Sequence, residues 1–248
     1  MAETSRPPVH RYSTVESTND LASQLLRDGH VPALWVTAER QTRGRGRLGR
    51  SWVSEPGNLY ASLALREPAP LSRVATLSLI AGVALRRALV GEVGNPERFT
   101  LKWPNDVMLD KAKVAGVLLE ASGGSVVIGC GVNCAHHPEG TNYPATDLAA
   151  AGLVASPAAL FDRLSEDMTN ALRRWNTGLG FSNIRAEWLD HAFGLGRVVT
   201  VKRGVETVSG IARTIDEDGR LVLKAGAQTI AVAAGEIAPT ASGMGKVE

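Results

Sequence analysis

The chain has 248 residues, 44% of them hydrophobic and 21% charged, with a mean hydropathy of −0.03. That balance excludes a disordered chain, and no run approaches the ~18 apolar residues of a membrane-spanning helix. Twenty-seven Lys and Arg stand against 25 Asp and Glu, a formal charge of +2, which argues against a surface coated for general nucleic-acid binding. The length suits one large domain, or a medium domain with a small appendage, and it buries a full core without disulfides. The charge is uneven. Residues 40–50 read RQTRGRGRLGR, with Arg40, Arg43, Arg45, Arg47 and Arg50 and no acid, which leaves 22 basic against 25 acidic residues elsewhere. The N-terminus, MAETSRPPVHRY, lacks the apolar stretch of a secretory signal, so a cytoplasmic location is expected. Cys130 and Cys134 lie in GCGVNCA near His136 and His137. Zinc wants four ligands with paired spacings, and no second cluster occurs, so these cysteines read as structural and no resident metal is expected.

In chain order, residues 9–16 alternate as a short strand, and Ser17-Thr18-Asn19 then supplies N-cap chemistry. Leu21, Ala22, Leu25 and Leu26 form the stripe of a helix that Gly29 stops. ALWVTAE (33–39) is a strand, the basic loop follows, and EPGN (55–58) turns the chain into a strand over 59–65. Residues 70–90 carry Val74, Leu77, Ala81 and Leu85 at helical spacing. Four strands follow in close order, over 99–103, 107–109, 114–121 and 125–132, and their short links favour antiparallel hairpins. Ser156-Pro157 opens a helix to about Trp175, and a second helix is expected over 181–193. From Gly194 short strands at 196–202, 206–216, 220–224 and 228–232, with a DG hairpin signal at Asp218-Gly219, read as a small barrel. The tail from Pro239 reads as frayed.

Gly44-Arg45-Gly46-Arg47-Leu48-Gly49 spells the G-x-G-x-x-G dinucleotide fingerprint. A helix must open at its third glycine to hold a pyrophosphate, and RSWVSEPGN cannot start one, so the Rossmann reading fails. Glycines that let backbone N–H groups approach a ligand, interleaved with arginines, still point to an anion. A solvated basic loop, a nucleic-acid loop with Trp52 as a stacking platform, and a loop that orders over a phosphate-bearing small ligand all remain open on composition alone.

Five motifs occur together in order: Ser17-Thr18-Asn19, QTRGRGRLGRSW (41–52), KWPND (102–106), KVAGVLLE (113–120) and GCGVN (129–133). This series resembles bacterial biotin protein ligases over about residues 13–237, in the form without an N-terminal DNA-binding domain. The resemblance implies an α+β fold: a mixed, largely antiparallel central sheet flanked by helices, like class II aminoacyl-tRNA synthetases, plus a small C-terminal SH3-like β-barrel. The catalytic domain would span 1–193, the barrel 194–240 and a tail 241–248. Because the first strand begins near Val9, a repressor role is not expected.

The resemblance also implies an activity. ATP and biotin would give biotinyl-5′-adenylate and pyrophosphate with Mg²⁺, and biotin would then pass to one lysine of the biotin carboxyl carrier protein of acetyl-CoA carboxylase. Ser17, Thr18, Asn19 and Gln41 match biotin contacts. Gly44, Arg45, Gly46 and Arg47 match the loop closing over biotin and the adenylate phosphate, with Trp52 at its far end and Gly116 beside the biotin. Lys113 matches the lysine near the reacting carboxylate and α-phosphate; Gly131 and Asn133 match the adenine and ribose side. Adenylation needs no protein nucleophile, since the carboxylate attacks phosphorus itself, so fixed cations must carry the catalysis. Arg45, Arg47 and Lys113 are those candidates. Asp106 reads equally as a polar residue at the ATP side and as a turn residue. Lys102 and Trp103 read as readily as structural. Residues 140–152 are candidates for an adenine-covering loop. Homodimers are expected as a possibility; nucleic-acid and membrane partners are not. A ligase for lipoate or octanoate is the first rival, disfavoured by the GRGRLGRSW and KWPND pair. A nucleic-acid module is the second, disfavoured by the −3 charge of the remaining chain.

Overall fold

A computed structural model describes residues 6–29 and 31–238. The tail expected from Pro239, including 241–248, lies outside the described residues. The first part of the chain builds β1 (Val9–Val15), α1 (Thr18–Asp28), β2 (Ala33–Gln41), β3 (Leu59–Arg66), α2 (Leu71–Val74), α3 (Leu77–Val93), β4 (Phe99–Lys102), β5 (Asp106–Leu109), β6 (Ala112–Ser122), β7 (Ser125–Val132), α4 (Pro157–Trp175) and α5 (Phe181–Asp190). Its seven strands pair in the order β1-β2-β3-β7-β6-β5-β4, antiparallel except for β1 on β2. That parallel pair is made by the α1 crossover, so the sheet is mixed, as expected.

Alternation along the strands sorts side chains onto two faces. Leu34, Val36, Ala64 and Val127 pack against Ala22 and Leu26 of α1. Trp35, Leu63 and Ile128 face the other way, into a larger core with α3 and α4. Helix α3 is buried nearly all round, as a helix between a sheet and two further helices must be. Among the described residues Leu71–Val93 is one helical run long and apolar enough to cross a membrane by length and composition, with a mean hydropathy of 1.6. This corrects the expectation that no run approaches that length; burial of 72% of its most apolar window inside the protein accounts for the hydrophobicity. The run is interrupted at Ala75-Thr76, where the Thr76 hydroxyl donates to the Arg73 carbonyl and accepts from Trp175 Nε1.

The second part comprises β8 (Val198–Arg203), β9 (Glu206–Ile215), β10 (Leu221–Ala225), β11 (Gln228–Val232) and β12 (Glu236–Ile237). They form an antiparallel sheet in the order β11-β10-β9-β8-β12. The expected SH3-like barrel is therefore corrected in one respect: the described sheet is not closed. Strand β12 is two residues long and pairs only with β8, so it does not reach β11. Val199, Val201, Leu221 and Leu223 belong to the same hydrophobic cluster as α3 and α4, so this sheet is welded to the first part. Trp103 Nε1 donates to the Gly219 carbonyl at 3.1 Å across that junction, which makes Trp103 the structural residue of its motif.

Helix α5 ends at Asp190 rather than 193, because residues beyond it pair with β4: Leu101 N–H donates to the His191 carbonyl and Phe193 N–H to the Leu101 carbonyl. Glu187 of α5 clamps three helices. It accepts from Arg87 of α3 and, at 2.9 Å, from Arg174 of α4. Burial raises its pKa, but these two arginines outweigh that and leave it below the ordinary value. A depressed carboxylate pKa contributes stability above the unfolded value and loses it as pH falls through the folded one. We expect Glu187→Gln to cost about 1–2 kcal/mol at pH 7, between exposed and buried ion-pair values. The difference from wild type should shrink below about pH 4.5 in denaturant titrations; a pH-independent difference would remove the ionic clamp from the account.

Candidate active site

The α1 face of the sheet carries an open cleft. Its floor is a cross-strand row. Tyr60 of β3 pairs with Gly131 of β7, Gly131 with Gly116 of β6, Gly116 with Asp106 of β5, and Asp106 with Lys102 of β4. Directly opposed residues project to one face, so these five line one trough. The two glycines in the middle hollow it out. A Cβ on Gly131 would lie 2.7 Å from Trp52 Cε2, and one on Gly116 3.4 Å from Trp52 Cζ3, so the indole rests on bare backbone.

One end of the cleft is polar and neutral. Ser17 caps α1, its hydroxyl accepting from Asp20 N–H at 3.3 Å. Thr18 donates to Gln41 Oε1 through both its N–H and its hydroxyl, and Gln41 Nε2 donates to Ser54 Oγ at 2.9 Å. Ser62 Oγ lies 2.8 Å from Thr18 Oγ1 and 2.6 Å from Asn19 Oδ1, and Asn19 Nδ2 donates to Glu120 Oε2 at 2.6 Å. Every amide here has one fixed orientation. Gly129 is required beneath them: a Cβ there would sit 2.3 Å from Asn19 Oδ1.

The basic loop is a closed hairpin over this cleft. Trp52 N–H donates to the Gly44 carbonyl, Gly46 N–H to the Arg50 carbonyl, and Arg45 bridges Ser51. Gly44 does not line the cleft. Its role is steric, since a Cβ would meet Ser54 Oγ at 2.3 Å and the Trp52 carbonyl at 2.5 Å. Gly46, Arg47 and Trp52 do line it.

Four of the five loop arginines are held by carboxylates. Arg40 pairs with Glu55, Arg43 with Glu16, and Arg50 with Glu236 of β12. Arg45 grips Asp20 with both terminal nitrogens, at 2.6 and 2.5 Å, and contacts Glu120 at 3.2 Å. The Arg45 hydrogen bonds hold Asp20 below the usual carboxylate range. Arg45 thus ties the loop to α1 and β6 through Asp20 and Glu120. Arg47 alone meets only neutral acceptors, Asn105 Oδ1 at 3.1 Å and the Gly235 carbonyl at 3.0 Å. Burial pulls its pKa down, with Asp106 and Glu236 opposing.

At the cationic end Lys113 Nζ lies 2.7 Å from Asp106 Oδ1 and 5.4 and 5.5 Å from the Trp52 and Tyr143 ring centroids. The contact with Asp106 is set by charge: that oxygen is buried without an aligned hydrogen-bond donor. Trp52 Nε1 is likewise buried and unpartnered. Asp106 is therefore a cleft residue and not merely a turn former. Asn133 is held by the segment that follows it. Its side chain donates to the Thr146 carbonyl, and its backbone bonds Val114 and Leu148, so it anchors the 133–148 segment beside a smaller recess shared with Lys113 and Tyr143. Cys130 and Cys134 are buried free thiols whose pKa burial pushes up to about 12. Among the described residues no group of three His, Cys, Asp or Glu converges as a metal site.

Sequence reasoning missed Asp20, Ser62, Asn105 and Glu120, and passed over Lys102, Arg50, Tyr143 and Glu236. Asn105 and Lys102 lie inside KWPND and Glu120 ends KVAGVLLE, so their motifs marked them; nothing local marked Ser62, Tyr143 or Glu236.

The mixed sheet thus carries a loop-covered cleft, neutral at one end and cationic at the other. The Biotin/lipoate A/B protein ligase family model matches residues 12–134, and the Biotin protein ligase C terminal domain model matches 194–238. The chain is 38% identical over 234 residues to the biotin–[acetyl-CoA-carboxylase] ligase of Paracoccus denitrificans, covering 88% of this chain and 95% of that one. It is 33% identical over 227 residues to the enzyme of that name from Mycobacterium tuberculosis, covering 89% and 85%. The solved biotin protein ligase of Aquifex aeolicus in complex with biotin and ATP superposes with a TM-score of 0.82 at 27% identity, covering 93% of this chain and 97% of that one. The chain belongs to the biotin protein ligase family.

The pairing predicts a contrast within the loop. Arg45→Ala should speed limited proteolysis between 44 and 52 several-fold, because two carboxylates lose their partner. Arg43→Ala should leave it unchanged, since its pair is more than two-thirds exposed and worth only ~0–1 kcal/mol. Equal cleavage of both variants would show that Arg45 does not hold the loop.

Proposed function

We propose that this chain activates biotin with ATP to biotinyl-5′-adenylate and then transfers biotin to a specific lysine of the biotin carboxyl carrier protein of acetyl-CoA carboxylase. The observation that carries this reading is the graded polarity of one cleft on the biotin ligase fold. A neutral ureido ring suits the amide and hydroxyl array of Ser17, Thr18, Asn19, Gln41 and Ser62. The triphosphate suits the opposite end, where Arg47, Arg50, Lys102 and Lys113 face only Asp106 and Glu236. That is four cations against two carboxylates. The solved ligases bound to biotin and ATP, and to biotinyl-5-AMP in Leishmania major at 25% identity and a TM-score of 0.68, support the same reading.

Biotin's carboxylate attacks the α-phosphorus, and pyrophosphate departs with the electron pair of the broken bond. Lys113, between the glycine floor and the Trp52 and Tyr143 rings, holds the two reacting anions together against their repulsion. Arg47 covers them from the loop. Each such cation supplies a few kcal/mol, about what one lost preorganised donor costs elsewhere. Any Mg²⁺ would be held mainly by the nucleotide's phosphates and waters, where it would offset their charge, because the cleft carboxylates Asp106 and Glu236 already face cations. In the second half-reaction the carrier lysine's amine attacks the acyl carbon and AMP leaves. A cytoplasmic setting, where carrier and ATP meet, completes the proposal. A nucleic-acid role is not proposed, because the loop's arginines are largely neutralised by the chain's own acids.

Biotin-dependent exchange of pyrophosphate into ATP tests the reading. Exchange with lipoate but not biotin would move the substrate to the rival acyl group; no exchange with either would overturn the activity. Arg47→Ala should accelerate release of biotinyl-5′-adenylate by about tenfold or more while the melting temperature stays within a few degrees. A large drop in melting temperature without faster release would make Arg47 a folding residue.

A further inference from the structure

A β-bulge decides where Lys113 points. Val107 of β5 opposes Ala115 of β6, but Met108 opposes Lys113, so Val114 is an extra residue in β6. Counted back from Gly116 on the cleft side, an unbroken strand would turn Lys113 to the opposite face. The bulge re-aims it, and its Nζ lies 3.2 Å from where a Cβ on Gly116 would stand. A long side chain keeps its rotamer freedom unless something holds its head. Three groups hold this one: Asp106 at 2.7 Å, the Trp52 ring at 5.4 Å and the Tyr143 ring at 5.5 Å to the centroid.

These three differ in what they do once a substrate is present. Asp106 is an anion, so arriving anions compete with it for the ammonium. An aromatic face attracts a cation without carrying a charge for those anions to repel. Trp52 comes to Lys113 on the hairpin loop. Tyr143 comes on a segment bonded to Lys113 itself. Lys113 N–H donates to the Pro144 carbonyl at 2.8 Å, Thr146 N–H donates to the Lys113 carbonyl at 3.0 Å, and Ala145 bridges Lys113 in parallel. Asn133 Nδ2 fastens the same segment at the Thr146 carbonyl, and the Thr141 hydroxyl fastens it at the Tyr143 carbonyl. The place of the Tyr143 ring relative to the Lys113 main chain is thus set without the loop. We infer that Tyr143 is a positioning residue whose ring face keeps the Lys113 ammonium over the glycine floor while the two reacting anions are bound. This rests on the adenylation reading above. The ring acts through Lys113, and it acts as a ring: among the described residues the Tyr143 hydroxyl makes no hydrogen bond.

Tyr143→Phe keeps the ring; Tyr143→Leu keeps apolar bulk without it. In biotin-dependent pyrophosphate exchange, Tyr143→Leu should lower kcat about tenfold with KM for biotin and ATP within about threefold, while Tyr143→Phe keeps at least about half of the wild-type kcat. In a Lys113→Met background, Tyr143→Leu should cost less than about twofold more, because the ammonium it positions is gone. Wild-type exchange together with an unchanged kcat in Tyr143→Leu would overturn the assignment alone. Equal losses in the Phe and Leu variants would also overturn it, placing the role in the hydroxyl. A loss carried by KM for ATP, or a full further loss in the Lys113→Met background, would overturn it by placing Tyr143 at the nucleotide or in the fold. No exchange in the wild-type chain would overturn the functional reading and the assignment together.

Discussion

The cleft depends on one electrostatic constraint: a segment carrying five arginines must fold back over its own protein. Like charges that close repel unless most of them meet an acid, as four of the five do here. The chain brings those acids from separate places, Glu16 beside α1, Asp20 within α1, Glu55 after the loop, Glu120 on β6 and Glu236 on β12. Pairs of this kind differ greatly in worth. Arg43 with Glu16 is solvated and screened, whereas Arg45 presents a planar fork to Asp20 and, at less than a third exposed, also contacts Glu120. Glu120 in turn orients the Asn19 amide. The loop and the neutral end of the cleft are therefore set by one shared network, so disturbing the loop disturbs what that end can recognise.

A second constraint is steric. Trp52 closes the loop by lying across the sheet, and only a floor without side chains admits it. Gly131 and Gly116 supply that floor, and Gly129 does the same for Asn19 one row away. Burying an indole there costs an unpartnered Nε1, and the ammonium of Lys113 over the ring offsets part of that cost. Glycines within strands ordinarily weaken them, and here three occur where another chain segment presses onto the backbone.

Much of this was legible in the sequence, and the boundary is physical. Local chemistry survives in one dimension: Ser17 as an N-cap, the loop glycines, the closely spaced strands and the polar set of Thr18, Asn19 and Gln41 all stand where they were expected. Long-range pairing does not. Arg45 and Glu120 are 75 residues apart, and Arg50 and Glu236 are 186 apart, so nothing local shows that these arginines already have partners. The two acids that engage Arg45 could not be read beside its expected phosphate role for that reason. Asn133 is similar: its place at a strand end does not show that the Thr146 carbonyl takes its amide. The closed barrel failed because β12 is two residues long, below what patterning detects.

Asp106 and Glu236 look out of place at the end of a cleft meant for phosphates, since like charges repel. Their positions make sense if they hold the cations when the substrate is away. Four cations in a half-buried trough with no acid would repel one another and distort it. Two carboxylates reduce that repulsion while leaving an excess of two positive charges, enough to draw in a triphosphate. On the proposed reading, an incoming phosphate would exchange with Asp106 at Lys113 and with Glu236 at Arg50, replacing one anion by another, so the net cost of desolvating the ammonium and guanidinium groups would fall largely outside the binding step. Arg47 and Lys102 have no carboxylate to give up. On the proposed reading they would be the two cations whose full attraction is open to an anion, one on the loop and one on the edge strand.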